Sequence, residues 1–152
     1  MSVLADQLRA DLTAAMKRRD DVATSALRMA LAAIQEAAVA GKEAKELTDD
    51  EILKVLNKEV KRRDEAAEAF RNADRPDRAD REQAERDVLA AYLPAALSPE
   101  ELEVIIAETL AEGGFSGMAS MGPAMKAVTA KVAGRADGKT VSDLVRARLS
   151  AG

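Results

Sequence analysis

The chain has 152 residues and a formal net charge of −4 at pH 7, and it contains no cysteine and no histidine. These absences exclude disulfides, thiol nucleophiles, imidazole bases and the usual zinc sites, so any chemistry would rest on carboxylates, lysine, hydroxyls or Tyr92. Alanine supplies 33 of the hydrophobic residues, and aromatic residues make up only 2%. Because helix-forming residues dominate and strand-forming residues are sparse, the composition predicts an all-α protein.

Two amphipathic helices are predicted at the start of the chain. The first is capped by Ser2 and has an apolar stripe at Leu4, Leu8, Leu12 and Met16. The second ends at Gly41, where a glycine cap is expected, and its stripe contains Leu27, Leu31, Ile34 and Ala38. Arg28 lies beside this second stripe, and we interpret it as a solvated side chain or the partner of an acid rather than a binding residue.

The next two helices are predicted to form an antiparallel pair. Thr48-Asp-Asp-Glu51 is a capping box that opens a helix to about residue 72, with apolar spacing at Ile52, Leu56, Val60, Ala67 and Phe70. Its outer face is predicted to mix acids and cations, among them Glu59, Arg62 and Arg63. This pattern favours a solvated surface with weak ion pairs, and a basic strip facing RNA is the alternative. Proline opens the fourth helix, about 76–91.

Tyr92-Leu-Pro94 is predicted to end the N-terminal part of the chain, as either a hinge or a rigid elbow. Ser98-Pro-Glu-Glu101 then opens a fifth helix, which ends at Gly113-Gly114. Two shorter helices follow, at about 123–132 and 138–149. We therefore predict an N-terminal unit of about four helices, residues 1–94, and a small three-helix domain, residues 95–152.

Basic residues are concentrated in the last part of the chain. Residues 114–152 contain six basic and two acidic side chains. In the turn Gly134-Arg-Ala-Asp-Gly-Lys139, Gly134 is expected to be left-handed and Asp137 to cap the last helix. Arg135 and Lys139 would then lie at a helix N-terminus that favours an anion such as phosphate. Spacing alone favours the simpler interpretation, a helix-to-helix turn with solvated ends.

Other motifs point away from catalysis. Gly122-Pro123 is interpreted as a tightly packed helix start, with close approach of a ligand as the alternative. Gly138-Lys-Thr140 lacks the strand and the glycine spacing of a phosphate-binding loop, so nucleotide hydrolysis is not expected. Paired acids such as Glu100 and Glu101 suit helix N-termini. We predict no catalytic residue, metal or cofactor.

No apolar run of membrane-spanning length and no signal peptide are expected, which predicts a cytoplasmic protein without a membrane partner.

An ordered set of short segments resembles the GatB/YqeY family. The set comprises the Leu8 to Met16 helix, Leu27-Arg-Met29, Glu59-Val-Lys-Arg-Arg63, Tyr92-Leu-Pro94, Met121-Gly122 and Gly134-Arg-Ala-Asp-Gly-Lys139. The resemblance covers essentially the whole chain. It implies a larger N-terminal helical unit followed by a small C-terminal three-helix domain.

The resemblance also implies a function. In the family, this domain forms the tail of the B subunit of the tRNA-dependent amidotransferase, where it helps to hold the tRNA. The family is thereby linked to carbon–nitrogen ligation with glutamine as amide donor. We expect a tRNA-binding or accessory protein that is not catalytic alone, with tRNA and amidotransferase or other tRNA-linked proteins as partners. RNA contact is assigned to Lys126, Lys131, Arg135 and Lys139. A helical protein–protein adaptor is the alternative.

Overall fold

The computed structural model describes residues 2–151, and all regular elements in that range are helical, which confirms the all-α prediction. The seven α-helices are α1 Val3–Lys17, α2 Asp21–Val39, α3 Asp49–Asn72, α4 Pro76–Ala90, α5 Pro99–Gly113, α6 Met121–Val132 and α7 Gly138–Ala151. A short 3-10 turn, Met118–Ser120, precedes α6. The chain divides into two compact units, Met1–Leu93 and Pro94–Gly152, each with its own core.

Side-chain caps determine where several helices begin. The hydroxyl of Ser2 accepts the backbone N–H of Ala5 at 3.0 Å, and Thr48 and Ser98 form the capping boxes that their sequences predict. Asp49, in the first turn of α3, accepts hydrogen bonds from the Ser2 hydroxyl and from the backbone N–H of Leu4. One carboxylate therefore joins the starts of α1 and α3.

Alanine allows the helices of the N-terminal unit to approach closely. Seven of its alanines are buried at 5% exposure or less: Ala5, Ala15, Ala23, Ala26, Ala30, Ala67 and Ala79. Larger side chains fill the spaces between the helices, and the largest fully buried ones are Leu8, Leu27, Ile52, Leu56 and Leu89. Small residues bring helix axes together and leave little room for bulk, so the core relies on close backbone packing rather than on aromatic residues.

Two predictions about the first helices were wrong. Met16 does not continue the buried stripe of α1, because its side chain is 42% exposed and Ala15 is buried instead. Gly41 does not cap α2, since the helix ends at Val39 and Ala40 keeps helical dihedral angles. The carbonyl of Ala38 instead accepts the backbone N–H of Lys45 at 2.9 Å. Gly41 does not have a positive φ. The following segment therefore satisfies the end of α2 without a left-handed residue.

The helix α2 is long and apolar enough to span a membrane by length and composition, contrary to the expectation that no such segment exists. A core helix of a water-soluble protein meets the same measure, and five α2 residues are buried in the N-terminal core: Ala23, Ala26, Leu27, Ala30 and Ile34. Packing therefore explains part of the apolar character of α2, but Met29 and Val39 of the same helix are exposed.

A buried ion network joins α3 to α4. The Arg63 side chain is 4% exposed, and its Nη1 lies 3.0 Å from Glu59 Oε2 and 3.1 Å from the Glu59 carbonyl oxygen. Its Nε has no hydrogen-bond partner among residues 2–151 and lies 3.8 Å from Glu85 Oε2 on α4. Nη2 lies 3.5 Å from the sulfur of Met29 on α2. One guanidinium thus contacts three helices.

This network corrects the prediction that Glu59 and Arg63 lie on the solvated outer face of α3. Both are buried, and the neighbouring Arg62 and the α4 residue Arg81 pair with the carboxylates from the solvent side. Two buried carboxylates carry one more negative charge than Arg63 neutralises. Arg62 and Arg81 at the rim compensate for that excess.

We predict that Arg63→Ala destabilises the N-terminal unit by about 3–5 kcal/mol, because it leaves two carboxylates buried without their cation. Urea unfolding followed by the fluorescence of Tyr92 measures this, since the only tyrosine of the chain lies in that unit and there is no tryptophan. A neutral network made by Arg63→Met, Glu59→Gln and Glu85→Gln should recover most of the loss. The exposed Arg62→Ala is the control and should cost less than about 1 kcal/mol.

The hydroxyl of Tyr92 donates a hydrogen bond to the carboxylate of Asp11 and so joins the end of the N-terminal unit to α1. Burial raises the pKa of Tyr92 well above its ordinary value, and the hydrogen bond and negative charge of Asp11 raise it further. The phenol therefore keeps its proton in the folded protein at alkaline pH values where an exposed tyrosine would lose it.

This raised pKa predicts an alkaline loss of stability. Above about pH 10 the unfolded chain releases the Tyr92 proton and the folded chain keeps it, so the free energy of unfolding falls as pH rises. Tyr92→Phe should remove this contribution. Ultraviolet titration of tyrosinate and urea unfolding between neutral and alkaline pH measure both effects. An ordinary tyrosine pKa, with the same alkaline slope in Tyr92→Phe, would contradict the prediction.

The C-terminal unit has a compact core of aliphatic side chains contributed by α5, α6 and α7. The buried residues are Leu102, Ile106, Leu110, Ala124, Val128, Val132, Val141, Val145 and Leu149. Gly114 ends α5 in the left-handed conformation, with φ of 64°. A β-carbon on Gly113 would lie 2.2 Å from a ring carbon of Phe115, so the first of the two glycines is required for packing and the second for the turn.

Candidate nucleic-acid interface

The turn between α6 and α7 has the local structure that its sequence predicts. Gly134 is left-handed with φ of 76°, and Ala133 before it is also left-handed with φ of 50°. Asp137 accepts the backbone N–H of Thr140 at 3.2 Å and so caps α7. Because the Asp137 carboxylate already occupies this helix start, the free amides that would attract a phosphate are partly satisfied from within the chain.

Arg135 points into its own unit and stabilises the segment before α5. Its Nε donates to the carbonyl oxygen of Ala95 at 3.1 Å, and its carbonyl oxygen accepts the backbone N–H of Leu97 at 2.8 Å. Hydrogen bonds from Ser98 lower the pKa of the Glu101 carboxyl, and the positive charge of Arg135 lowers it further. Arg135 is only half-exposed and is held in place by these contacts.

The two lysines of α6 do not share one surface. Five residues separate Lys126 from Lys131, which places them about 140° apart around the helix. Lys126 is exposed and makes no ion pair with the described residues 2–151. Lys131 lies beside α5, where its Nζ pairs with Glu112. The structure therefore separates these two predicted RNA-binding residues.

The cations of α7 divide into two groups. Lys139 and Arg146 lie on the same face with Asp143 between them, at 3.4 Å and 3.9 Å respectively from its carboxylate oxygens. Arg148 donates from Nε and Nη2 to Glu103 of α5, at 3.2 Å and 3.1 Å. Lys139 is the more solvated of the first pair, with a side chain 84% exposed. Lys139 and Arg146 together exceed the charge of their shared acid by one.

The prediction of a basic surface did not include the acidic residues of α5, which pair with some of its cations. Residues 114–152 are strongly basic, but the whole unit 94–152 contains six basic and seven acidic side chains. Glu103 and Glu112 supply the ion pairs that neutralise Arg148 and Lys131. A charge count over the predicted domain, rather than over its last two helices, would have shown this balance from the sequence alone.

Gly122 does not support the interpretation of a tightly packed helix start. It is exposed, and a β-carbon added there would meet nothing within 4 Å. The packing explanation is therefore wrong within this unit, and neither crowding nor a positive φ requires glycine at this position. The surface around Gly122 is open to an approaching molecule.

Comparison with known proteins assigns the chain to a family. A family model described as "Yqey-like protein" matches residues 5–149. The chain belongs to the YqeY family. It is 33% identical over 150 residues to "Altered inheritance of mitochondria protein 41, mitochondrial" of Pyrenophora tritici-repentis, with 95% of this chain and 80% of the relative covered. An uncharacterised protein of Schizosaccharomyces pombe is 36% identical over 88 residues, with 57% of this chain and 69% of the relative covered.

For this YqeY-family chain, we predict that Arg135→Ala destabilises the C-terminal unit by about 1 kcal/mol, because the hydrogen bond to Ala95 is removed. Lys139→Ala should change stability by no more than about 0.5 kcal/mol, since its side chain is solvated. Thermal unfolding and amide hydrogen exchange of the 95–97 segment measure the difference. Equal effects of the two substitutions would show that Arg135 does not hold this segment.

Proposed function

We propose that this YqeY-family protein is a non-catalytic tRNA-binding or accessory protein of glutamine-dependent amide transfer to tRNA, acting in the cytoplasm. The proposal combines the family membership with the tail domain that the sequence resembles in the amidotransferase B subunit. The structural observation that carries it is the solvent exposure of Lys126, Lys139 and Arg146 in the C-terminal unit. These three cations are more available to phosphates than Lys131, Arg135 and Arg148, because each of the latter has a partner of its own within the unit.

The proposed contact depends on few charges. Lys126 offers an uncompensated cation on α6, and Lys139 with Arg146 offers one excess positive charge on α7. An approaching phosphate would compete with Asp143 for both α7 side chains. Such a surface favours contact with the phosphate backbone without base selection, because it consists of flexible cations and has no aromatic group on which a base could stack.

The near-neutral charge of the unit supports an accessory role rather than tight independent binding. Six basic and seven acidic side chains leave no strong field to attract RNA from a distance. Affinity for tRNA alone should therefore be weak and sensitive to salt. A partner enzyme that also holds the tRNA would raise the effective concentration of these few contacts.

Binding of fluorescently labelled tRNA, measured by anisotropy across a salt series, tests the proposal. We predict that the double variant Lys126→Ala, Lys139→Ala weakens binding at low salt. Its plot of log affinity against log salt should be shallower by about one unit for each phosphate that the variant no longer neutralises. The loss of affinity should be similar for unrelated tRNA sequences, because interactions with phosphate carry no base information.

Lys131→Ala provides the matched control for that measurement. It also removes one exposed lysine, but Glu112 already neutralises this lysine, so its effect on the salt slope should be small. Wild-type affinity in the double variant would contradict the assignment of this surface. Absence of tRNA binding by the wild type at low salt, with or without amidotransferase subunits, would contradict the proposed function itself.

A protein–protein adaptor is the second candidate, and exposed apolar side chains favour it. In the C-terminal unit, Val104 and Met118 are 54% and 47% exposed, and neither lies among the buried core residues. Val104 lies on the side of α5 opposite its buried residues Leu102 and Ile106. A protein that associates with other chains but does not bind tRNA at low salt would fit this second function.

A further inference from the structure

The outward face of α2 carries exposed apolar side chains together with polar ones such as Gln35. The buried residues of α2 lie along one side of the helix, and Met29, Ala32 and Val39 lie on the other side. Met29 is 53% exposed and Val39 is 52% exposed. A helix as apolar overall as α2 is normally buried over more of its surface, so these exposed apolar side chains give the face the character of an interface.

Two charged residues, Arg28 and Glu36, also lie on that face. Arg28 and Glu36 are both exposed, and neither makes an ion pair with any residue of the described range 2–151. The one polar contact of the Arg28 guanidinium within that range is with the sulfur of Met16 on α1, at 3.2 Å. A partner that carries one charge of each sign would complement this cation and this anion.

The positions of the two charges are symmetric along the helix. Arg28 lies four residues before Ala32, and Glu36 lies four residues after it. All three residues fall on one row of the helix surface, because residues four apart are neighbours. If two copies of α2 crossed in antiparallel orientation at Ala32, each Arg28 would face the Glu36 of the other copy.

We propose that the outward face of α2 binds a second copy of this chain, forming an antiparallel α2–α2 contact centred on Ala32. The contact is isologous, since the same face serves both copies, as a two-fold axis requires. Alanine at the crossing point allows the helices to approach closely, and the two symmetric Arg28–Glu36 pairs fix the direction and register. Val39 of each copy then lies opposite Ser25 of the other.

The charge positions favour an antiparallel pairing of two copies over a parallel one. A parallel pairing would place Arg28 against Arg28 and Glu36 against Glu36, so only the antiparallel pairing is favourable. One helix pair is smaller than the roughly 1,200 Å² that stable interfaces bury. We therefore expect a reversible dimer whose population rises with protein concentration.

Sedimentation equilibrium from micromolar to millimolar concentration tests the proposal with two charge reversals. Arg28→Glu and Glu36→Arg each place like charges opposite one another, so each variant alone should dimerise at least about tenfold more weakly than wild type. An equimolar mixture of the two variants should associate again, because each Arg28–Glu36 contact then has one positive and one negative side. The double variant Arg28→Glu, Glu36→Arg should also dimerise.

Two controls separate this contact from a general charge effect. Lys54→Glu and Glu68→Arg change the net charge by the same amounts at exposed positions of α3 and should leave the dimer unchanged. Because the chain has no cysteine, Ala32→Cys introduces a single thiol at the proposed crossing point, and mild oxidation should link two copies through it. A wild type that stays monomeric at millimolar concentration would overturn the proposal. Failure of the mixed variants to associate would also overturn it.

Discussion

The arrangement of the N-terminal helices depends on the buried guanidinium of Arg63. It contacts Glu59 on its own helix, approaches Glu85 on α4 and touches Met29 on α2. Because α3 and α4 are rich in charge and poor in large apolar groups, hydrophobic packing alone specifies their register weakly. A buried cation between two carboxylates penalises any shifted register, since a shift would leave a charge without its partner. The alanine-rich core allows the helices to pack closely, and this network determines the register of α3 against α4.

Charge has a different role in the C-terminal unit, where most of the basic side chains have structural partners. Arg148 and Lys131 attach α7 and α6 to acids of α5, and Arg135 holds the segment before α5 through the Ala95 carbonyl. These contacts are individually weak because the groups are exposed. Their consequence for function is that a sequence rich in lysine and arginine offers only a few free cations. The proposed RNA contact therefore rests on those few residues.

Local signals in the sequence predicted most of the fold. Capping boxes, prolines and paired glycines determine helix ends through interactions between residues close in sequence. The start of α3 at Thr48, the start of α5 at Ser98 and the end of α5 at Gly114 could therefore be predicted from the sequence. The exposure of Met16 and the burial of Arg63 could not, because periodicity gives the face of a helix and not what another helix places against it. The contacts of the candidate RNA-binding residues could not be predicted for the same reason. Arg135 and Lys139 are near in sequence, but the partner of Arg135 lies 40 residues away.

The two proposals concern different units of the chain, and the proposed dimer would strengthen the proposed RNA binding. The α2 face belongs to the N-terminal unit, whereas Lys126 and Lys139 belong to the C-terminal unit. A dimer through α2 would carry two copies of the weak cationic surface, and two weak contacts on one RNA bind far more tightly than either alone when the geometry allows both. A chain with few free cations would then gain affinity by association rather than by added charge. This avoids the non-specific binding that a strongly basic surface brings.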